Sequence, residues 1–402
     1  MEAEERRRVV FFGAYGIESA GDDAPLAVLT SGFRRHFPNV DFEFVAIARH
    51  PDPLMSQRCG VRFVQNLEYE SRGASVGRWF RGMNPGDARE PLERISREIE
   101  AAHVIVGGAG NMLIDVAMDL FRGPIPLCAV YAFLADLHRT PLFLYGLSAG
   151  PFSTARGRLV SGWIARRAAV VTCRDRASAR LLGVLSQRRD VHLLPDPVLG
   201  LAPATDRELD DLLRAERIPR VGARPRLAVG LRETAFQGNT WHEPLVAALR
   251  ELATRYELLF VPQCTYRDSD DRLVARKMIG AIGGNGTTYI IDKRYPPDVL
   301  MRVYEMACAS LTIRLHAAVF SSVVGTPVVA LNYLPKVAGF MSHVGSERFT
   351  YNLTGLRPDE LVSAVEEAAR TDGSALRHRC AALGEETLEY VRLCGAVIGL
   401  DG

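Results

Sequence analysis

The sequence has no Cys-x-x-Cys pair. Its seven cysteines, at 59, 128, 173, 264, 308, 380 and 394, stand no closer than 14 residues apart. That spacing excludes a readable zinc ribbon, and an odd, scattered set fits a reducing compartment with most thiols in the core. Charge of one sign is also missing: 49 Lys and Arg against 47 Asp and Glu give a net charge of +2, so no bulk electrostatic argument points to nucleic acid. The start, MEAEERRR, leads straight into VVFFGAYG without an apolar run and small-residue cleavage site, so no signal peptide is predicted. The longest apolar stretch, about 124–137, is too short for a bilayer and is interrupted by prolines, so no transmembrane segment is predicted. No repeat of short fixed period is visible. These absences lead us to expect a cytoplasmic protein, with peripheral contact at the inner face of the membrane left open.

What is present is globular. Of the 402 residues, 48% are hydrophobic and 24% charged, a composition that excludes whole-chain disorder and allows a large core in two domains. Short apolar runs alternate with amphipathic segments in a βαβ rhythm. The predicted strands are 9–12, 41–48, 103–106, 141–146, 168–172 and 190–194, then 226–230, the run ELLFVPQC, 288–292, 311–313 and 326–333. Helices are predicted after Asp22 or Asp23 (as cap, with Pro25 in the first turn), in WHEPLVAALRELATRY, and at 297–307, 358–371 and 375–396. Residues 70–90, rich in Gly and Arg with Trp79–Phe80, read as a loop. The predicted organisation is an N-terminal Rossmann-like domain over 1–200, a linker over 201–225 and a C-terminal Rossmann-like domain over 226–375. The stretch 376–402 is expected as a C-terminal helix packing back on the first domain. The fold class is α/β, two Rossmann-like domains facing across a cleft.

Several strand ends carry chemistry. Gly13-Ala14-Tyr15-Gly16 continues to Gly21-Asp22-Asp23, but the spacing is not Gly-x-Gly-x-x-Gly. It reads as a weak nucleotide site or a tight turn. Gly107-Gly108-Ala109-Gly110-Asn111 places three glycines in four positions after a strand, a backbone nest for an anion or a packing device. Cys173-Arg174-Asp175 offers an arginine at a strand end, to bind an anion or to pair with Asp175; Asp196-Pro197 reads as a turn. Gly230-Leu231-Arg232 repeats the pattern in the second half. The acid-rich run 267–271 includes Asp270, an acceptor contact or a helix cap, and is not arranged as a metal site. The sharpest is Thr312-Ile313-Arg314-Leu315-His316, where a guanidinium and an imidazole meet at a strand–helix junction, with Tyr333 and Lys336 in a later loop. That set suits an anionic substrate in need of a proton donor.

In order along the chain, Gly21-Asp22-Asp23, GGAGNM, Cys173-Arg174-Asp175, Asp196-Pro197, Gly230-Leu231-Arg232, Arg314-Leu315-His316, Gly325-Thr326-Pro327-Val328-Val329 and Tyr333-Leu334-Pro335-Lys336-Val337 resemble the polysaccharide pyruvyl transferase family. The resemblance implies a two-domain architecture of the B-type glycosyltransferases. It also implies phosphoenolpyruvate as co-substrate, a sugar of a surface polymer, glycan or lipid-linked precursor as acceptor, a pyruvate ketal as product, and no cofactor. The family's active-site arginine and histidine match Arg314 and His316. We assign donor-anion binding to Arg232, Lys336, Gly108, Gly110, Asn111 and Arg174, and an acceptor or structural role to Asp22, Asp270 and Tyr333. A homo-oligomer is compatible with the sequence. The alternatives are a glycosyltransferase using a nucleotide sugar on the same architecture, and a glycan-binding protein without turnover.

Overall fold

The computed structural model describes residues 6–67, 86–115, 123–234, 240–267, 269–283 and 288–400; the Trp79–Phe80 stretch lies outside them. The chain divides into two compact units. The first comprises residues 1–17, 25–197 and 386–402, the second residues 18–24 and 198–385.

The first unit holds a seven-stranded sheet of order β3-β2-β1-β4-β5-β6-β7. Its strands are β1 (Arg7–Phe12), β2 (Phe42–Ala48), β3 (Val61–Gln65), β4 (Val104–Leu113), β5 (Leu142–Ala149), β6 (Val170–Cys173) and β7 (Val191–Leu193). All pairings are parallel. Such a sheet is covered on both faces, which is why its central strands read as continuous apolar runs. One face is filled by Val10, Phe12, Ile105 and Leu144, with the helices Gly86–Glu100, Pro124–His138, Ala155–Arg167 and Arg176–Ser186 packed along that side of the unit. The other is filled by Phe11, Phe33, Phe44, Phe143 and Tyr390.

The structure corrects three expectations. The glycines at 107–110 do not end their strand. They continue β4 and pair with β5 as far as Leu113, because the missing Cβ atoms make room for close neighbours. A Cβ on Gly107 would lie 2.2 Å from Phe12 Cζ, and one on Gly108 would lie 2.1 Å from the Tyr145 carbonyl oxygen. The helix expected over 375–396 is two, Ser374–Glu386 and Leu388–Val397. The second is anchored in the first unit by Tyr390, whose Oη donates to the Pro195 carbonyl at 2.8 Å. The first long helix spans Ala20–His36, so Asp22 and Asp23 sit inside its first turn and do not cap it.

The second unit holds a six-stranded parallel sheet of order β10-β9-β8-β11-β12-β13. Its strands are β8 (Arg226–Gly230), β9 (Glu257–Phe260), β10 (Thr288–Ile290), β11 (Ala309–Thr312), β12 (Val328–Asn332) and β13 (Thr350–Asn352). β3 and β13 escaped the sequence reading because both are short edge strands without a continuous apolar run. Strand order reverses between β8 and β11, and in open α/β sheets the carboxyl side of such a reversal is where ligands bind.

β8 is the central rail of this sheet, and its first residue is tied down. The Arg226 side chain is buried and its Nε donates to Glu257 Oε2 at 3.1 Å, with its amino groups on the Arg220 and Pro219 carbonyls. Removing one partner of a buried pair leaves the other charge uncompensated, a loss of about 3–5 kcal/mol. Arg226→Ala is therefore expected to lower the stability of the chain by that order, read as a shift of the urea unfolding midpoint at unchanged slope.

Candidate functional site

Four neighbouring strands of the second unit end on one edge, in the order β9, β8, β11, β12. Each is followed within a few residues by a polar or charged side chain: Gln263 after β9, Arg232 after β8, Arg314 and His316 after β11, Tyr333 and Lys336 after β12. Parallel register does this. Gly230 lies beside Thr312, and Thr312 beside Ala330, so residues two or three positions beyond each strand emerge side by side.

Arg314 lies two residues past the end of β11 and immediately precedes the helix Leu315–Val323. Its side chain is 13% exposed, and it grips Asp271 with two donors, Nε to Oδ2 at 2.8 Å and Nη2 to Oδ1 at 2.5 Å. Asp271 is 2% exposed; its Oδ2 also accepts the backbone N–H groups of Gln263 and Cys264, each at 3.1 Å. Burial holds the Asp271 carboxyl above the ordinary carboxylate value, although Arg314, the Gln263 amide and the more distant Arg232 offset part of the rise. Burial opposes the Arg314 charge, yet the carboxylate beside it raises its pKa further above the ordinary guanidinium value, so the arginine stays charged. The pair is a fork-to-fork contact that fixes the plane of the guanidinium. Among the described residues, the Nη1 edge of Arg314 is what this arrangement leaves for a ligand.

Beside this pair sits a second cluster. Tyr333 is nearly buried, and Arg232 Nη1 donates to its Oη at 3.1 Å. The Arg232 guanidinium lies 5.4 Å and the Lys336 ammonium 6.0 Å from the ring centre. Burial alone would push the phenol up. The charges of Lys336, Arg232 and Arg314 outweigh it and hold Tyr333 below its ordinary value. Among the described residues, three cations therefore act on one phenol, and one of them is paired with the buried carboxylate of Asp271. Such an excess of positive charge beside a helix start suits an anion.

His316 lies in the first turn of the helix Leu315–Val323, half-buried. Its ring packs on Gly21: a Cβ there would fall 2.1 Å from Nδ1 and 2.8 Å from the histidine's own Cβ. Gly21 reaches this place because residues 18–24 run along the second unit. Ser19 bridges Cys264, the Ala20 N–H donates to the Gln263 carbonyl at 2.8 Å, and the Thr265 N–H donates to the Glu18 carbonyl at 3.0 Å. Asp23 is buried and takes Arg294 Nη2 at 2.9 Å, while Asp22 is half-buried in the same turn. The Gly-Asp-Asp segment is thus a wall for the imidazole and an anchor for the segment itself.

Several of the other predicted residues have partners of their own. Asp270 is a cap: it accepts the Arg272 N–H at 2.9 Å at the start of the helix Asp271–Ile282 and pairs with the Arg272 side chain at 2.7 Å. Burial works upward on its carboxyl, and those hydrogen bonds prevail and hold it below the usual value. The carboxylate that faces Arg314 is its neighbour Asp271. Gly108, Gly110, Asn111 and Arg174 belong to the first unit. The Gly108 carbonyl accepts Tyr15 Oη at 2.5 Å, which closes the turn after β1. Gly110, with φ of 103°, has open space where a Cβ would be, and Asn111 beside it is half-buried. Arg174 does not pair with Asp175. Its Nε donates to Ser148 Oγ at 2.9 Å and its Nη1 to Asp196 Oδ2 at 2.8 Å, while Asp175 caps the helix Arg176–Ser186. Gly21 stands in the Gly21-Asp22-Asp23 motif, but its contact with His316, like the roles of Asp271 and Gln263, is not readable from the sequence. Asp271 and Arg314 are 43 positions apart, and no local pattern joins them.

The Gly21 contact yields a direct test. A methyl at this position cannot be relieved by turning the imidazole alone, since the histidine Cβ is also too close. Gly21→Ala is expected to displace His316 and cut turnover by about tenfold or more, the order of a misplaced acid–base group. The thermal midpoint should move by only a few degrees, about the effect of a 1 kcal/mol change. Full turnover in this variant would show that the ring position does not matter.

Comparison with known proteins gives the same architecture and a family. Among solved structures, HepE of Anabaena, crystallised with UDP-glucose, matches with a TM-score of 0.63 at 12% identity, over 97% of this chain and 99% of that one. The UDP-GlcNAc 2-epimerase of Methanocaldococcus jannaschii matches with a TM-score of 0.62 at 12% identity, over 97% and 99%. Both likenesses establish the fold, two parallel-sheet α/β units of the B-type glycosyltransferase class. In sequence, the amylovoran biosynthesis protein AmsJ of Erwinia amylovora is 24% identical over 296 residues, 69% of this chain and 68% of its own length. The family description "Polysaccharide pyruvyl transferase" matches residues 20–335, from the turn that carries Gly21 to the residue before Lys336. With most of its length matched, and with the arginine, histidine and tyrosine of the site inside the match, this chain belongs to the polysaccharide pyruvyl transferase family, enzymes of pyruvyl transfer to polysaccharide.

Proposed function

We propose that the donor is phosphoenolpyruvate and the product a pyruvate ketal bridging two hydroxyls of a sugar, in a surface polymer or its lipid-linked precursor. The observation that carries this reading is the gathering of Arg232, Arg314 and Lys336 around Tyr333, with Arg314 paired to Asp271. A small donor bearing both a carboxylate and a phosphate needs this excess of fixed cations.

The chemistry balances without a further reagent. C3 of the enol gains a proton and C2 becomes electrophilic. One acceptor hydroxyl adds to C2 through its oxygen, and a second displaces phosphate and closes the ring. The two hydroxyl protons account for the one delivered to C3 and the one that leaves with phosphate. We assign Arg314 to the donor anion through its Nη1 edge, with Arg232 and Lys336 as further anion contacts. His316 is the proton carrier for C3, placed by Gly21 at the helix start.

HepE binds UDP-glucose on this fold, which makes a nucleotide-sugar transferase the second reading. The two separate on donor dependence: phosphate release from phosphoenolpyruvate with acceptor present, against nucleotide release from a sugar nucleotide. His316→Gln is expected to lower kcat by about 10²–10⁴-fold with the fold intact, the usual worth of general acid–base transfer. Unchanged turnover in that variant removes the assignment.

Tyr333 predicts an alkaline limb. Its phenol loses its proton at a lower pH than an ordinary tyrosine, and the phenolate cancels part of the positive field. Donor kcat/KM should therefore hold below that pKa and fall as pH rises through it. In Tyr333→Phe the limb should be absent. A limb that survives the substitution belongs to another group.

A further inference from the structure

Three of the four helices packed on one side of the first unit lie in a stretch that differs in charge from the rest of the molecule. Residues 124–189 contain ten arginines, two aspartates and neither lysine nor glutamate, a net +8 in a chain of net +2, so the other 336 residues sum to −6. Three helices in this stretch, Pro124–His138, Ala155–Arg167 and Arg176–Ser186, pack successively side by side. Their outward faces carry Arg156, Arg158, Arg166, Arg167 and Arg180, all exposed. Arg167 pairs with Asp136 across two of the helices.

The same helices expose large apolar side chains. Phe133 is 58% exposed, Leu137 62%, Leu159 75% and Val184 77%, four of the seven large apolar side chains that stand exposed among the described residues. Phe133 and Leu137 are four residues apart and so lie on one helix face. Exposed leucine and phenylalanine among arginines is the make-up of an interfacial surface, where apolar side chains enter the acyl boundary and cations meet headgroup phosphates. No helix among the described residues is long and apolar enough to cross a membrane, so contact of this kind would be with the surface.

We propose that this helical face, Phe133, Leu137, Leu159 and Val184 among Arg156, Arg158, Arg166, Arg167 and Arg180, docks on a bilayer surface of anionic lipid. A second copy of this chain is the weaker occupant, because an isologous contact would set one strongly cationic face against another. A nucleic acid would meet the arginines but give the exposed apolar side chains nothing to enter. The proposal goes beyond the donor chemistry and stands independently of it. It would bring the enzyme to a surface where lipid-linked sugars are found.

The test is flotation of the full chain with vesicles of phosphatidylcholine alone and of phosphatidylcholine mixed with phosphatidylglycerol. The chain should float with the anionic vesicles at least about tenfold more than with the neutral ones, and added salt should release it. Two variants, Arg156→Glu with Arg158→Glu and Phe133→Ser with Leu137→Ser, should each lose about tenfold in bound fraction at an unchanged unfolding midpoint. A third variant, Leu159→Ser alone, bears fewer changes and keeps the test informative if either double variant fails to fold. No flotation at low salt overturns the proposal, as does equal flotation by the folded variants. Retention of a duplex oligonucleotide without vesicle binding overturns it in favour of nucleic acid. A concentration-dependent dimer abolished by the same substitutions, again without vesicle binding, overturns it in favour of self-association.

Discussion

Arg314 is a cation largely withdrawn from water, and Asp271 is the carboxylate that keeps it there. A guanidinium held by two hydrogen bonds cannot turn, so the direction of its remaining edge is decided by the helix that begins at Asp271. That carboxylate is itself held by the Gln263 and Cys264 amides, at the end of β9. The residues after β9 also hold the 18–24 segment, whose Gly21 walls the imidazole of His316. One buried ion pair thus connects the strand ends, the early glycine and the histidine. Breaking it would leave a buried charge without its partner, at a loss of several kcal/mol by analogy with other buried pairs.

The charges of the site are of two kinds. Arg314 and Asp271 largely neutralise each other and supply position. Arg232 and Lys336 lie around Tyr333 and supply field. The separation matters for binding an anion, because a guanidinium wholly satisfied by carboxylates has little left to offer one. Arg174 in the first unit shows the contrast. Ser148 and Asp196 bond it in a buried network continuous with Asp175 and Ser178. The bonds observed for it are those of a structural arginine.

Much of the fold was legible because buried parallel strands leave a strong mark. VVFF, PLFLYG, RLAVG and TPVVALNY all fall on strands, and the residues that follow several of them were recognisable as candidates for the carboxyl edge. The cluster of Arg232, Arg314, His316, Tyr333 and Lys336 could be named for that reason. The glycines at 107–110 were misread because a glycine run signals a turn as readily as a crowded strand; only the Phe12 ring and the Tyr145 carbonyl decide between them. Asp270 and Asp271 were indistinguishable as adjacent letters. One caps a helix and the other faces Arg314, and a single residue of helical rotation separates the two fates.

The order of amino acids by itself determined the repeating strand–helix rhythm, the placing of cations and an imidazole just past strand ends, and the family likeness. These are local properties, set by periodicity, by chain reversal and by motifs a few residues long. The tertiary structure alone decided which carboxylate anchors Arg314, which glycine meets His316, and which arginine of the first unit is locked away. Those are contacts across tens to hundreds of residues, and their geometry exists only once the strands have taken their places in the sheet.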